Sequence, residues 1–527
     1  MAQFYRGIWL TILVVALASC HPPLQRDAPQ GIVVAPHILA SRLGIDILQA
    51  GGNAVDAAVA TGLALGVVDQ YNSGLGGGVY LVIAMADGRT VAIDGRETAP
   101  LAAHASLFVT NGTSDPERSR TGVLAVAVPG ALAGYASALE RFGTMPLAPI
   151  AHRVAALARS GFVIDPSYAQ KLASVAETLR ADPESTPYFH PDGRPLQGGD
   201  RLIQKDLAAT LEGVARDGLH YFYHGPVASQ LDTLMRENRG ILTKEDLHRY
   251  QPVVTPPVTG HYHGYTVLGI PPSSSGGLHV IQVLGMLERL GEPATSTALA
   301  SALGFAFHDR ARYLGDPAFG LVPTEQLIAA PYLDQLAVRA RQGERPGPTR
   351  DAHESDARHD TAGFVVIDRA GNGVAATASI NTTFGAKRII PRTGIVLNNE
   401  MDDFVTQPGG ENIYGLTGNT ANQIAPGKRP LSSMAPTILK SPDGTIRLLL
   451  AAAGGPMIIS SVVQTIERVI ARSQPLSAAI GAPRLHHQWQ PETVFLEPEY
   501  PLWGPTTQPH SGAEGEAPAA SPLEGAT

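Results

Sequence analysis

Two hydrophobic periods alternate along the chain, and each predicts a different kind of element. Residues 79–83 form a continuous apolar run of strand length, and residues 90–93 form its hairpin partner across an Asp-Gly turn. Residues 54–65 are rich in alanine and follow Asn53, a residue type that caps helix N-termini well, so they predict a helix. These neighbouring patterns indicate the beginning of an α/β region.

The middle of the chain has mostly helical patterns, whereas strand patterns return towards its end. Helical periodicity dominates residues 129–312, broken by proline and glycine turns. Short strand-like runs follow at residues 364–367, 374–379, 394–397 and 446–452, and residues 460–471 predict a helix. Strands at both ends with helices between them favour one layered α/β sheet structure over separate domains.

Two polar segments interrupt this pattern. Residues 341–360 are rich in proline and charge, which predicts an exposed and mobile stretch. It directly precedes the strand-like run at residues 364–367. Residues 504–527 form a low-complexity tail of proline, alanine, glycine and glutamate, which predicts disorder.

The first twenty residues have the layout of an export signal. Arg6 precedes the mostly apolar run 8–18, which is too short to span a bilayer as a helix. The run ends in Leu-Ala-Ser-Cys, which resembles a bacterial lipobox in which Cys20 would carry the lipid; a plain signal peptide with an incidental cysteine is the alternative. In either case we expect an exported protein. Because Cys20 is the only cysteine, we expect no internal disulfide, and lipidation of Cys20 would exclude thiol catalysis. The lipidated form would be anchored to a membrane and face the periplasm or the cell exterior.

The overall composition is that of a soluble globular protein. The chain has 527 residues, of which 44% are hydrophobic and 16% charged, and its net charge is −8. Acidic and basic residues are interleaved, and no run rich in lysine and arginine occurs. We therefore expect no nucleic-acid partner and no membrane contact other than the lipid anchor.

Several common catalytic motifs are missing. The chain has no G-x-S-x-G motif, which argues against an α/β-hydrolase serine. The glycine run at residues 74–78 precedes a strand and lacks the third glycine of a dinucleotide loop, and the Gly-Lys pair at 427–428 lacks the rest of a P-loop. The His-Glu pair at 353–354 lacks the second histidine of a zinc motif. His486 and His487 would point to opposite faces of a strand, so we predict packing or hydrogen bonding for them.

What remains is a set of polar and glycine-rich loops, at residues 381–385, 398–404, 428–434 and 453–456. Hydroxyl groups and arginine suit a carboxylate, acidic side chains suit an ammonium group, and paired glycines leave backbone N–H groups to bind an oxyanion. Each loop alone is more typical of a turn. Together they predict a substrate that carries both an amino group and a carboxylate.

These loops, with other motifs, resemble the γ-glutamyltransferase (γ-glutamyltranspeptidase) family of N-terminal nucleophile hydrolases. The resemblance extends from about residue 31 to residue 497 and keeps the family's order of motifs. The motifs are residues 51–60, 75–78, 94–100, 242–247, 271–277, 313–317, 381–385, 398–404 and 428–434. The resemblance implies an α/β (α+β) fold, the four-layer αββα sandwich of these hydrolases.

The resemblance also implies an inactive precursor that cleaves itself before a threonine. On local sequence alone Thr361 is an ordinary strand-edge threonine, but it matches the family's nucleophile. The cut would fall between Asp360 and Thr361. It would leave a large subunit, residues 21–360, and a small subunit, residues 361–527, which stay together as a heterodimer. The freed α-amine of Thr361 would act as the base for its own hydroxyl, so no histidine is required.

Positions that match the family's site residues carry suitable side chains here. Six of them would bind the γ-glutamyl group: Arg96, Ser432 and Ser433 its α-carboxylate, and Asn381, Glu400 and Asp403 its α-amine. The N–H groups of Gly454 and Gly455 would stabilise the tetrahedral intermediate, and Ser379 would support the nucleophile. Tyr414, in a lid loop at residues 408–424, would screen the site from water.

The implied activity is transfer of the γ-glutamyl group of glutathione, or of related γ-glutamyl amides, to water, an amino acid or a peptide. The resemblance implies no cofactor and no metal. Two alternatives stay open: a glutaryl or cephalosporin-type acylase of the same fold, and a non-catalytic surface lipoprotein that retains the fold. The lid and Asp403 favour the γ-glutamyl enzyme, because related acylases commonly lack the lid or the acid that binds the amine.

The chain departs from the family pattern in two places. The family's small subunit continues with further strands beyond the position of Glu497, where this chain has its low-complexity tail. Loss of an edge strand would weaken the sandwich or slow maturation. Ala362 and Gly363 follow the nucleophile where relatives often carry a hydroxyl residue and a histidine. Neither departure removes a named catalytic group.

Overall fold

The computed structural model describes residues 30–291, 293–347, 361–407 and 409–502. The strands in these ranges are β1 (Gly31–Val34), β2 (Gly78–Ala84), β3 (Thr90–Gly95), β4 (Val109–Thr110), β5 (Thr113–Ser114), β6 (Phe162–Val163), β7 (Arg201–Leu202), β8 (Val253–Thr255), β9 (Val258–Tyr262), β10 (Tyr265–Gly269), β11 (Ala362–Asp368), β12 (Gly373–Ser379), β13 (Thr437–Lys440), β14 (Ile446–Leu450), β15 (Leu485–His486) and β16 (Phe495–Leu496).

The α-helices are α1 (Ile38–Gln49), α2 (Ala54–Val68), α3 (Pro116–Arg120), α4 (Ala131–Phe142), α5 (Leu147–Ser160), α6 (Pro166–Ser174), α7 (Ala176–Arg180), α8 (Thr186–Phe189), α9 (Lys205–Asp217), α10 (Leu219–Tyr223), α11 (Pro226–Glu237), α12 (Lys244–Arg249), α13 (Gly276–Leu290), α14 (Ser296–Tyr313), α15 (Thr324–Leu327), α16 (Ala330–Arg341), α17 (Met457–Ile470) and α18 (Leu476–Gly481). Short 3-10 helices occur at Val123–Ala125, Glu400–Asp403 and Thr420–Asn422.

The larger sheet places two late strands between strands from the beginning of the chain. Its order is β1-β11-β12-β2-β3-β8, and all neighbouring strands are antiparallel. β12 pairs with β2 along its whole length, from Gly373 opposite Ala84 to Ser379 opposite Gly78. Because backbone hydrogen bonds join these strands, the chain before residue 348 and the chain after residue 360 share one sheet.

The smaller sheet, in the order β14-β13-β10-β9, lies against one face of the larger sheet. β13 contacts β2 and β12, and β14 contacts β11 and β12. Side chains alternate along β2: Tyr80 and Val82 belong to the core on the side of the smaller sheet, whereas Val79 and Leu81 belong to the core on the opposite side. The middle of the larger sheet is therefore buried on both faces, whereas edge strand β1 exposes Ile32 and Val34.

Helices cover the outer face of each sheet. α2 packs on β11 and β12, α4 packs on β2 and β3, and α13 packs on β9 and β10 of the smaller sheet. α2 is buried along nearly its whole length, and its alanines and glycines allow close packing on the sheet and on α1 and α5. These layers confirm the predicted αββα sandwich.

Several sequence-predicted elements are confirmed. The hairpin is β2–β3, the strand-like run at residues 364–367 lies in β11, and the helix predicted at residues 460–471 is α17. The capped helix is α2, where Asn53 Oδ1 accepts hydrogen bonds from the N–H groups of Val55 and Asp56 at 2.9 and 3.1 Å. The carboxylate of Asp56 accepts in return from Asn53 N–H at 2.8 Å, which completes a capping box.

The strand predicted at residues 394–397 is wrong. Val396 makes only an isolated bridge, to Ile389. Gly394 has a φ of +68°, and Ile390 N–H donates to the carbonyl oxygen of Ile395 at 3.0 Å, so the chain turns back on itself there. The residues of this run lie in a tight loop that folds back on residues 388–390.

Four predictions fall wholly or largely outside the described residues, because these exclude 1–29, 348–360 and 503–527. They concern the export signal with Cys20, the exposed stretch at residues 341–360, the residue before the cut (Asp360), and the low-complexity tail. Among the residues that the structure does describe, no helix is long and apolar enough to cross a membrane. Within the same ranges, no group of three or more His, Cys, Asp or Glu side chains is placed to hold a metal ion.

Candidate active site

Thr361 lies where the central strand β11 begins, beside the end of β12. The strand register pairs Ala362 with Ala378, so one step further along brings Thr361 opposite Ser379. Both side chains are buried, with 5% and 4% of their surface exposed. Ser379 Oγ accepts a hydrogen bond from the N–H of Asn381 at 2.9 Å, which fixes the hydroxyl at the strand end. Two hydroxyl groups therefore stand at the same end of two hydrogen-bonded strands.

A pocket opens at this end of the two strands. Its lining residues are Arg96, Arg310, Thr361, Ser379, Asn381, Glu400, Asp403, Tyr414, Leu416, Ser432, Ser433, Met434, Gly455 and Ile458. All of the predicted catalytic and binding residues within the described ranges line it except Gly454, which is the chain neighbour of Gly455. The structure thus brings together side chains that lie far apart in the sequence.

A buried cluster of charges occupies one wall of the pocket. Arg96 Nη1 lies 2.7 Å from Glu400 Oε2 and 3.7 Å from Glu97 Oε2, and Nη2 donates to Asp403 Oδ2 at 2.5 Å. Burial alone would lower the pKa of Arg96, but the carboxylates around it, Glu400 foremost, raise that pKa well above its ordinary value. Burial raises the pKa of both Glu97 and Glu400. Three carboxyl groups around one guanidinium therefore do not all carry a negative charge at neutral pH.

Backbone contacts hold Arg96 in place. The residue directly follows β3, and its N–H donates to Asp94 Oδ1 at 2.8 Å. Its Nε donates to the carbonyl oxygen of Pro430 at 3.2 Å, and the Tyr250 hydroxyl donates to its carbonyl oxygen at 2.7 Å. The guanidinium is oriented before any ligand binds.

Ser432 and Ser433 lie in a segment that the turn at residues 271–277 clamps. Ser432 N–H donates to the carbonyl oxygen of Ser273 at 3.0 Å, and Ser275 N–H donates to the carbonyl oxygen of Ser432 at 2.9 Å. The Ser433 hydroxyl is buried and has no hydrogen-bond partner among the described residues. A buried hydroxyl costs free energy until a partner binds it, so Ser433 indicates a polar ligand in this pocket.

Gly454 and Gly455 form the turn that leads into α17. Their φ angles of +123° and +53° lie in the region that favours glycine. Their carbonyl oxygens accept from the N–H groups of Met457 and Ile458 at 3.0 and 3.2 Å, within the first turn of the helix. Neither glycine N–H donates to another described residue. These two donors suit a negatively charged oxygen at the pocket wall.

Tyr414, the residue predicted to lie in a lid, lines the pocket. Tyr414 is buried, and its hydroxyl donates to Asn381, whose Oδ1 lies at 2.7 Å and carbonyl oxygen at 3.1 Å. The loop that carries Tyr414 is also joined to the charge cluster, because Asn412 Nδ2 donates to Asp403 Oδ1 at 3.0 Å. The loop that carries Tyr414 therefore lies at the same end of the sheet as Thr361 and Ser379.

A sequence model described as gamma-glutamyltranspeptidase matches residues 40–503 of the chain. The chain belongs to the gamma-glutamyltranspeptidase family.

Known members and neighbours of the gamma-glutamyltranspeptidase family agree with this assignment. The chain is 40% identical over 486 residues to a glutathione hydrolase proenzyme of Escherichia coli, a match that covers 89% of this chain and 83% of the relative. It is 39% identical over 470 residues to an acylase ACY 1 proenzyme of a Pseudomonas species, covering 86% and 82%. The crystal structure of a cephalosporin acylase from Bacillus halodurans superposes with a TM-score of 0.75 at 26% identity, covering 90% and 86%.

Arg310 is a charged pocket residue that sequence reasoning missed in this member of the family. It lies on α14, it is buried, and its Nε donates to Ser275 Oγ at 3.2 Å. Burial lowers its pKa to about 10, a shift that Asp403 opposes, so the group stays a cation at neutral pH. Its only sequence signal is that it shortly precedes the motif at residues 313–317.

Replacing Glu97 by glutamine should change how stability depends on pH. Burial raises the pKa of Glu97 from 4.5 to about 8, so between these values the folded protein binds a proton that the unfolded chain releases. Stability should therefore fall as pH rises through this window. Glu97→Gln is neutral throughout, so its melting temperature relative to the parent should rise by several degrees from pH 5 to pH 8, measured by thermal unfolding.

Glu140→Gln is the matched control, because Glu140 is exposed on α4. Its melting temperature should follow the parent at every pH. A Glu97→Gln curve that runs parallel to the parent curve would show that Glu97 is ionised in the fold.

Proposed function

We propose that this family member transfers the γ-glutamyl group of glutathione, or of a related γ-glutamyl amide, to water or to an amine through an ester on Thr361. One observation carries the proposal: the Thr361 side chain lines the same small pocket as Arg96, Glu400 and Asp403. A guanidinium and carboxylates placed side by side match a substrate end that carries both a carboxylate and an ammonium group. The relatives named as glutathione hydrolase proenzymes support the same substrate class.

In this proposal the chain matures by cutting itself before Thr361. The Thr361 hydroxyl attacks the carbonyl carbon of Asp360, the peptide C–N bond breaks, and the acyl group moves to the oxygen. Water then hydrolyses this ester and leaves a free carboxylate on Asp360 and a free α-amine on Thr361. Residues 21–360 and 361–527 would stay together, since β11 and β12 lie between β1 and β2 in one sheet.

Donor recognition uses the charged wall of the pocket. The donor α-carboxylate binds Arg96 and the hydroxyls of Ser432 and Ser433. Ser433 supports this assignment because its buried hydroxyl lacks a partner among the described residues. The α-amine binds the acceptor groups opposite, those of Asn381, Glu400 and Asp403. Held at this end, the donor extends its γ-carbonyl carbon towards Thr361.

The chemical step needs a base, an oxyanion site and exclusion of water. The Thr361 α-amine accepts the proton as its oxygen attacks the γ-carbonyl carbon, and the N–H groups of Gly454 and Gly455 bind the resulting oxyanion. The amine then gives the proton to the departing nitrogen. Water or an acceptor amine attacks the γ-glutamyl ester in the second half of the reaction and restores Thr361. Ser379 would hold the nucleophile, and Tyr414 would exclude bulk water.

Maturation can be tested on a denaturing gel. The purified parent should appear as two fragments, and N-terminal sequencing should place the start of the smaller one at Thr361. Thr361→Ala lacks the attacking oxygen and should remain one full-length chain, whereas Thr361→Ser keeps a hydroxyl and should still be cut. An uncut parent that looks the same as Thr361→Ala would refute self-cleavage and favour the non-catalytic lipoprotein.

The acylase alternative is tested with a pair of anilides. A γ-glutamyl anilide carries the α-amine for which Glu400 and Asp403 are placed, and a glutaryl anilide lacks it. We expect kcat/KM to be at least about tenfold higher for the γ-glutamyl compound, since one charge-assisted hydrogen bond contributes roughly 1.5–3 kcal/mol. Equal or faster turnover of the glutaryl compound would identify the enzyme as an acylase.

Residues 1–20 would direct export, and Cys20 would carry a lipid that holds the protein on a membrane surface. The support is the short apolar run followed by the lipobox-like sequence. The full chain expressed in a bacterium should sediment with membranes and dissolve in detergent, while Cys20→Ser should lose this behaviour. A Cys20→Ser protein that still sediments with membranes would rule out the lipid anchor.

A further inference from the structure

Gln488 joins the lid to the end of the described chain. It is buried, with 6% of its surface exposed. Its Nε2 donates to the carbonyl oxygen of Tyr414 at 3.0 Å and to that of Gln490 at 3.2 Å. Because both partners are acceptors, the amide nitrogen must face them, and Oε1 faces His486 Nε2 at 2.9 Å. His486 Nε2 therefore carries a hydrogen and donates it to Gln488.

A second hydrogen bond connects the His486 ring to helix α17. His486 Nδ1 lies 3.0 Å from Ser460 Oγ on that helix. The ring is 3% exposed, and its edge meets Phe307 at a centroid distance of 5.5 Å while it stacks on Phe495 at 6.2 Å. Packing on both sides fixes the ring, so the Nε2 hydrogen can point only at Gln488.

The segment that carries these two residues is itself bound to α17. Gln464, on the same helix and almost fully buried, donates through Nε2 to the carbonyl oxygen of Leu485 at 2.8 Å. Its Oε1 accepts from the N–H of Leu485 at 2.9 Å. The side-chain amide of Gln464 thus pairs with the backbone of Leu485 as a neighbouring strand would. The two bonds fix the position of the next residue, His486, along the helix.

We propose that His486 and Gln488, here named the lid clasp, are positioning residues that hold Tyr414 over the pocket. Tyr414 is then fixed at two points: its hydroxyl binds Asn381 at the end of β12, and its carbonyl oxygen binds Gln488. The role in catalysis rests on the proposed γ-glutamyl function, whereas the closure itself depends only on these hydrogen bonds.

The lid clasp also connects the lid to helix α17, which directly follows the two glycines of the proposed oxyanion site. Gly454 and Gly455 lead directly into α17, and Ser460 lies in the second turn of that helix. A shift of α17 would move the two glycine N–H groups and, through Ser460 and His486, the lid as well. Closure and oxyanion binding are therefore tied to one rigid element.

Removing the amide of Gln488 should open the lid while leaving the catalytic groups intact. Gln488→Met keeps the side-chain length and apolar bulk but can donate no hydrogen bond to Tyr414. In the protein purified with both of its subunits, hydroxyl-radical footprinting read by mass spectrometry should show labelling of Tyr414 rising several-fold. KM for a γ-glutamyl anilide should rise about tenfold, with a smaller change in kcat, because a closed lid retains the donor.

Variants at the two adjacent histidines separate the lid clasp from general packing. His486→Leu should raise Tyr414 labelling as Gln488→Met does, and it serves as the second variant if Gln488→Met does not accumulate. His486→Gln keeps an N–H donor near the position of Nε2 and should restore most of the closure. His487→Leu is the matched control: His487 donates to the carbonyl oxygen of Ala300 on α14 and contributes no bond to the lid.

Unchanged Tyr414 labelling in both Gln488→Met and His486→Leu would overturn the lid clasp, and so would an equal rise in His487→Leu. A rise confined to the two clasp variants, in a protein that turns over no γ-glutamyl anilide, would leave the clasp standing and refute the proposed function. The two inferences can therefore fail separately.

Discussion

The site depends on one buried cation. Arg96 has 1% of its side chain exposed, and it lies within ion-pair distance of three carboxyl groups. An arginine without these partners would be too costly to bury, and the carboxyl groups would be equally costly without the arginine. The ion pairs therefore form only when three elements are folded in their observed positions. These are β3, the 3-10 helix at Glu400–Asp403 and the serine segment after Pro430. Selection of the substrate follows from the same balance of charges.

A γ-glutamyl group is a zwitterion at its α-carbon, so its binding adds no net charge to the pocket. In the proposed binding mode its carboxylate would join Arg96 and the hydroxyl of Ser433, while its ammonium group would join Glu400 and Asp403. A glutaryl group would bring the carboxylate without the ammonium group. The site already holds three acidic side chains around one guanidinium. The unbalanced charge would have to be desolvated, which opposes binding. Arg310 moderates this cost, because it adds a second cation to the pocket wall.

Local sequence patterns predicted the parts of the fold that local interactions determine. The Asn53 N-cap of α2 and the β2–β3 hairpin are examples, since each needs only a few neighbouring residues. The pocket residues were predicted through resemblance, because no local pattern shows that Arg96 and Asp403 meet across 307 positions of sequence. Arg310 and Gln488 escaped prediction for that reason. The false strand at residues 394–397 has strand-like side chains, but among the described residues Val396 makes only an isolated bridge to Ile389.

Ser273 shows how the groups proposed to bind the donor carboxylate are held relative to one another. Its hydroxyl lies 2.6 Å from the Tyr80 hydroxyl and donates to Asp94 Oδ2 at 2.7 Å, while Asp94 Oδ1 accepts from the N–H of Arg96. Its carbonyl oxygen accepts from the N–H of Ser432.

One serine thus links the backbone of the arginine to the backbone of the serine pair, and Tyr80 anchors both to the central strand β2. Each group could otherwise move with its own loop. Because Ser273 joins them in a buried network, the distance between guanidinium and hydroxyls is set before the donor arrives, and less of the binding free energy is lost in ordering the site.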